Sequence, residues 1–297
     1  MYKQKKNVRT RKYKQKNCAP NVKNKTIHSK SCYSPTMIEN LKSLYNKRYS
    51  DKIVATKPKQ IWKELKNRMK DCDSESCWLK ELAEPNVSAR IEKQAFAPRK
   101  PSSWSKNPNE WLTNFDIKHV LHQYEDFNKN FDFIGPSFID FNDKENGNCV
   151  DEEVCKFDLS EKMKNKIHKI GIIFNLDKHY MSGSHWVSLF IDVNDRFIFY
   201  FDSAGDKIPK EIKALVDNIQ NQGEKLGLKL DFHENHPFEH QYGNTECGMY
   251  SLCFIISLLI NKVNNKVFKS KEEKIHFFKK VRISDKEMEI LRNKYYN

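Results

Sequence analysis

The 297-residue chain contains little glycine and proline, nine and ten residues respectively. That scarcity excludes collagen-like and broadly low-complexity architectures. Long apolar runs are also missing. The longest, Leu252 to Ile260, is about half the roughly 18 residues that a membrane-spanning helix needs, so no membrane partner is expected. The start of the chain is basic and has no apolar core, which argues against a secretory signal and for a soluble intracellular protein. Cysteine occurs eight times, at 18, 32, 72, 77, 149, 155, 247 and 253. These are too few and too scattered for a secreted disulfide scaffold, so reduced thiols are expected. Acidic residues are absent from residues 1–31, which carry eleven Lys/Arg. The formal net charge of +14 therefore belongs mostly to this segment. Residues 1–34 lack hydrophobic periodicity and read as a disordered tail. Its basicity suits either a nucleic-acid-binding arm or a plain solvated extension.

What is present divides the remainder in two. Residues 35–100 read as a helical region, with apolar positions at helical spacing in Met37–Tyr45 and Ile61–Met69. Within it, Cys72 and Cys77 have the spacing of half a zinc site but no second ligand pair follows, so metal ligands and buried thiols both remain open. Three prolines in residues 95–110 mark a linker into a main domain at 101–297. There, Trp111 opens a helix that continues through Phe127. Ile170–Leu176 reads as a buried strand, and His185–Val193 with Arg196–Phe201 as a hairpin turning at Asn194-Asp195. A helix over Pro209–Gln220, a strand over Leu228–Phe232 and a last helix begun by the capping box Ser284-Asp-Lys-Glu287 complete the pattern. Strands gathered in the middle with helices around them indicate an α+β fold with a central mixed sheet.

The chemistry concentrates at Gln241-Tyr-Gly-Asn-Thr-Glu-Cys247-Gly248, which runs directly into an apolar helix. Unpaired N–H groups in the first turn of a helix carry partial positive charge, which favours a thiolate and can receive an oxyanion. A cysteine nucleophile also needs a base and a group that orients it. His185 opens one strand of the hairpin and Asp202 closes the other, so antiparallel pairing brings the two together at one sheet edge. Asp202 then accepts from one imidazole nitrogen while the other faces the thiol.

Gly183-Ser-His185-Trp186, Phe201-Asp202-Ser-Ala-Gly205 and Gln241 six residues before Cys247-Gly248 resemble the signature of the adenovirus-protease/SUMO-protease clan of cysteine proteases. Cys72-Asp-Ser-Glu-Ser-Cys77, Phe96-Ala-Pro98 and Leu112-Thr-Asn-Phe115 extend the resemblance to the polyprotein-processing proteases of African swine fever virus and other large DNA viruses. The resemblance covers roughly residues 70–297. It implies a papain-like core with Cys247 as nucleophile, His185 as base and then acid, Asp202 as orienter, and Gln241 with the Cys247 N–H as oxyanion donors. It further places Trp111, Asn114, Trp186 and Gly248 against the substrate, with two indoles confining a Gly-Gly segment. No cofactor or metal is called for. The implied substrate is a polyprotein or other Gly-Gly-containing protein, cut in the virion and the host cytoplasm. The alternatives are a deconjugating isopeptidase for SUMO- or ubiquitin-like tails, an acyltransferase, and a nucleic-acid-binding protein on an inactive protease fold.

Overall fold

The computed structural model describes residues 13–22 and 26–297. The chain divides into two compact units, Met1–Arg99 with Asn297, and Lys100–Tyr296.

In the first unit, α1 (Pro35–Arg48), α2 (Pro58–Arg68), α3 (Glu75–Leu82) and α4 (Pro85–Ala95) follow one another. Three of the four start with proline, whose fixed φ and missing N–H cost nothing in a first turn. Ile38, Leu41, Ile61, Leu65, Trp78 and Leu79 form the core. The expectation of disorder over residues 1–34 fails wherever it is described. Ala19, Val22, Ile27, Cys32 and Tyr33 are all buried. Apolar residues this sparse have no period to detect, and residues 31–33 are anchored by a distant carboxylate. Glu75, itself buried, accepts from Ser31 Oγ, the Cys32 N–H (2.8 Å) and Trp62 Nε1 (2.6 Å), while Tyr33 Oη donates to its backbone oxygen (2.7 Å). Burial raises the pKa of this carboxyl, against the pull of the same hydrogen bonds. Residues 1–12 and 23–25, with eight of the eleven basic residues of the segment, lie outside the described residues.

The expectation of reduced thiols is also corrected. Disulfides join Cys18 to Cys32, Cys72 to Cys77 and Cys149 to Cys155, with Cα separations of 5.1, 5.4 and 6.3 Å. Cys72 and Cys77 therefore spend their sulfurs on each other across the start of α3 and are not metal ligands in this state. Spacing alone does not separate a short disulfide loop from half a metal site. Cys247 and Cys253 remain free thiols.

The second unit runs α5 (Asn114–Phe127), β1 (Phe131–Phe138), β2 (Lys144–Glu145), β3 (Asn148–Cys149), α6 (Glu152–Cys155), α7 (Leu159–Lys164), β4 (Lys169–Asn175), β5 (Trp186–Asp192), β6 (Phe197–Phe201), α8 (Lys210–Lys225) and β7 (Asp231–Glu234). It ends with α9 (Cys247–Ile260), β8 (Lys262–Val263), β9 (Lys266–Val267), α10 (Lys271–Lys280) and α11 (Asp285–Tyr295). The central sheet has the order β1-β4-β5-β6-β7. Its outer pairs are parallel and its inner pairs antiparallel, so the sheet is mixed. Side chains alternate between faces along each strand. Phe197, Phe199 and Phe201 of β6 meet α9, whereas Ile198 and Tyr200 meet the layer containing Ile212, Leu215 and Ile219 of α8. Covered on both faces, the strands read as continuous apolar runs.

Several element boundaries differ from expectation; α8, for one, runs on past Gln220 to Lys225. The helix expected from Trp111 starts at Asn114, because Thr113 takes the cap: its Oγ1 accepts from the Asp116 N–H (3.2 Å) and Asp116 accepts from the Thr113 N–H (2.8 Å). The strand expected at Leu228–Phe232 pairs at 231–234 instead, where Phe197–Tyr200 of β6 offer their partners.

Replacing Glu75 by alanine strands three buried donors and is expected to destabilise the protein by about 3 kcal/mol. Urea unfolding of the variant against wild type measures this. An unchanged midpoint would mean that residues 31–33 are held by something else.

Candidate active site

The hairpin of β5 and β6 builds one half of the site. Ser188 pairs with Phe201, so the chain just before β5 lies beside the chain just after β6. There His185 Nε2 donates to Asp202 Oδ1 at 2.7 Å. Asp202 is fully buried and held from several directions. Its Oδ1 also accepts from the Ala204 N–H (2.8 Å), its own N–H donates to Asn235 Oδ1 (2.9 Å), and Asn235 Nδ2 donates to the Asp202 carbonyl (2.7 Å). The loop before His185 is tied down as well. Asn175 Oδ1 accepts from the N–H groups of Asp177 (2.9 Å) and Ser184 (3.2 Å). Gly183, in the left-handed region at φ 94°, lies so close that an added Cβ would come within 3.0 Å of Asn175 Nδ2.

The other half is the start of α9. Cys247 is its first residue and is 2% exposed. With Nε2 committed to Asp202, the other imidazole nitrogen of His185 is left for the Cys247 sulfur, to which the ring is hydrogen-bonded. Burial by itself would lower the His185 pKa. The hydrogen bonds to Asp202 and Cys247, with the charges of both partners, outweigh it and raise the value to about 10. An imidazolium held beside a thiolate is the reactive form of a cysteine nucleophile.

Gln241 is buried and its amide is oriented from both ends. Ser203 Oγ donates to Oε1 (2.7 Å) and Nε2 donates to the Gly243 carbonyl (2.9 Å). An amide nitrogen carries two hydrogens, so one is left for a substrate oxyanion. The Ser203 carbonyl also accepts from the N–H groups of both His240 and Gln241, each at 2.9 Å.

The residues expected to touch substrate fare differently. Trp186 is nearly buried, and its Nε1 donates to the Leu112 carbonyl (3.0 Å). Gly248 packs on Leu112: a Cβ there would lie 3.0 Å from Leu112 Cβ. These contacts bring the segment of Trp111, which is 44% exposed, to the catalytic residues. Asn114 behaves otherwise. Its Oδ1 accepts from the Phe115 N–H (2.9 Å), so among the described residues it bonds locally and not to the catalytic groups.

Sequence reasoning missed Ser203, Leu112 and the buried pair Glu246–Arg292 (2.9 Å) next to the nucleophile. Ser203 had a signal in its place directly after Asp202. Arg292 had none, being 45 positions from Cys247 in an ordinary amphipathic helix.

Together the fold and this constellation resemble those of a cysteine-type peptidase. Residues 154–297 match the Ulp1 protease family, C-terminal catalytic domain, and residues 85–220 match the Vaccinia virus I7 processing peptidase. The chain is 33% identical over 154 residues to a thiol protease of Acanthamoeba polyphaga mimivirus, covering 50% of this chain and 48% of the relative. It thus spans about half the length of that relative. With the cysteine protease of African swine fever virus it shares 27% identity over 223 residues, 68% of this chain and 81% of the relative. The crystal structure of the African swine fever virus protease has the same fold, with a TM-score of 0.66 at 22% identity, over 97% of this chain and 98% of that one. The chain is homologous to these cysteine proteases of large DNA viruses, and its residues 154–297 resemble the Ulp1 catalytic domain.

Two predictions follow from the geometry. Because the His185 proton is retained up to about pH 10, kcat/KM should fall as pH rises through that value. Asp202→Asn removes the negative charge that holds the proton, so the alkaline limb should move down toward the ordinary histidine range, about 6.5. A pH–rate profile with the limb unmoved would remove Asp202 from this role. Secondly, Gly248→Ala should lower kcat/KM by roughly tenfold through its clash with Leu112, a displacement effect. Adding Leu112→Ala should recover part of that loss in a double-mutant cycle.

Proposed function

We propose that this protein is an endopeptidase that cleaves viral structural polyproteins or core precursors after Gly-Gly or similar small-residue motifs during virion maturation. The observation that carries this reading is the bond from Trp186 Nε1 to the Leu112 carbonyl. It ties the residue after Trp111 to the indole next to His185, which supports a reading in which both tryptophans line the approach to the thiol. A passage walled by indoles has room for backbone but little for a Cβ, which selects glycine.

The reaction uses only groups already placed. The Cys247 thiolate attacks the scissile carbonyl carbon, and the oxyanion is received by the Cys247 N–H and the remaining Nε2 hydrogen of Gln241. His185 gives its proton to the leaving amine, which departs and leaves a thioester. The neutral imidazole then takes a proton from water, the hydroxide adds to the thioester, and the acid is released with the thiolate restored. Asp202 holds the ring in orientation through both steps.

Action in the virion and the host cytoplasm belongs to the same proposal. So does nucleic-acid binding by the basic segment at residues 1–31, which would tether the enzyme to packaged nucleic acid and weaken steeply with salt. The deciding test compares a short internal peptide containing Gly-Gly-Ala with a folded ubiquitin-like protein bearing a C-terminal fluorogenic amide. Wild type should cut the peptide, and Cys247→Ala should lose about a thousandfold or more in kcat. Turnover of the folded modifier alone would replace this reading by a deconjugating isopeptidase.

A further inference from the structure

Away from the thiol, a cavity of about 450 Å³ opens between the edge strand β7 and helix α10. Its lining includes Asp231, His233, Lys271, Glu272, Lys279 and Lys280. Its charge is lopsided. Lys271 is neutralised by Asp231 at 2.8 Å. Glu272 is engaged in the first turn of its own helix, where a backbone hydrogen bond and Ser270 lower its pKa. Lys279, Lys280 and His276 have no ion-pair partner among the described residues. On the strand side, the Nε2 atom of His233 is sealed from solvent and has no hydrogen-bond partner among the described residues. Burial lowers the pKa of His233, and the charges of Lys279 and Lys271 lower it further in spite of Asp231. With Lys271, Lys279 and Lys280 set against Asp231 and Glu272, the lining carries a net positive charge.

One kind of guest suits the unpaired cations of this lining. An oxyanion would neutralise the unpaired Lys279 and Lys280. The volume lies within the range of about 300–1,000 Å³ typical of small-molecule sites and exceeds what a bare anion fills. Ile275 offers apolar surface to an attached organic body. We propose that the cavity between β7 and α10 is a binding site for a phosphate ester, separate from the peptidase site.

The two walls lead to the catalytic residues. The chain leaving β7 reaches Asn235, which grips the backbone of Asp202 at both its N–H and its carbonyl. Near the end of α10, the Phe278 carbonyl accepts from Nε2 of His240, the residue before Gln241 (2.8 Å). A ligand that bridges these walls would bear on the elements that hold the orienting carboxylate and the oxyanion amide. Such coupling requires it to bind one arrangement of the walls better than the other.

The test uses the full chain and calorimetric titration with three probes: inorganic phosphate, ATP and a short single-stranded DNA. ATP should bind more tightly than inorganic phosphate, and Lys279→Glu/Lys280→Glu should weaken it by about tenfold or more. A DNA preference with the same dependence on Lys279 and Lys280 would support the site and identify a nucleic-acid backbone as the phosphate source. Equal binding of every probe to wild type and variant, or no binding to either, overturns the proposal. An unchanged melting temperature shows that the variant is folded; the single variant Lys280→Gln replaces it if it is not. Because binding is read directly, failure here is distinguishable from failure of the peptidase reading, which rests on Cys247. Saturating ATP should also change kcat/KM for the peptide in wild type and leave the variant unaffected.

Discussion

The site depends first on the burial of α9. From Cys247 to Leu259 every residue of this helix is buried, so it has a single seat in the fold. It packs tightly on the sheet at Gly171 of β4, where an added Cβ would come within 2.9 Å of Ile255 Cγ2. Close packing of this kind fixes translation as well as direction, because a shift of even a few tenths of an ångström meets hard contacts. The first turn of the helix, and the thiol on it, is therefore delivered to one place.

A second constraint joins the two halves of the constellation. His185 and Asp202 belong to a hairpin, whereas Gln241 and Cys247 belong to a loop and a helix. Ser203 connects them. Its carbonyl receives two backbone N–H groups from residues 240 and 241, and its hydroxyl orients the Gln241 amide. The residue that follows the orienting carboxylate thus also sets the oxyanion amide. Behind the nucleophile, the Glu246–Arg292 pair is buried, and Arg292 also donates to the Glu110 carbonyl (2.7 Å) and lies over the Trp104 ring at 4.6 Å. Burial raises the Glu246 pKa while the Arg292 charge opposes it. A buried pair of this kind contributes little net stability, but losing one partner leaves an uncompensated charge. It serves better to hold α11, the chain before α5 and the nucleophile loop in one arrangement.

How much of this was legible follows from range. The pairing of β5 with β6 and the meeting of His185 with Asp202 could be read because a short hairpin makes positions seventeen residues apart neighbours by local geometry. The cap at Ser284 could be read because its partners lie three residues apart. The packing of residues 31–33 could not, because it depends on Glu75, more than forty residues on. The disulfides went unrecognised for a related reason: a cysteine spacing is compatible with a thiol pair, a metal site or a bridge until the backbone sets the distance between the sulfurs. Strand β1 was not legible, since its pairing is parallel and its partner β4 lies across two helices and a hairpin.

The sequence by itself determined the chemistry available to this protein: a thiol at the head of an apolar helix, an imidazole and a carboxylate at the ends of a hairpin, and an amide upstream. These are properties of residue type and short spacing. Only the tertiary structure decided which imidazole nitrogen meets which partner, that Ser203 turns the amide, and that Leu112 closes on Gly248 and Trp186. Each of these rests on contacts between segments far apart in the chain, which form only when burial of the core has fixed the backbones that carry them.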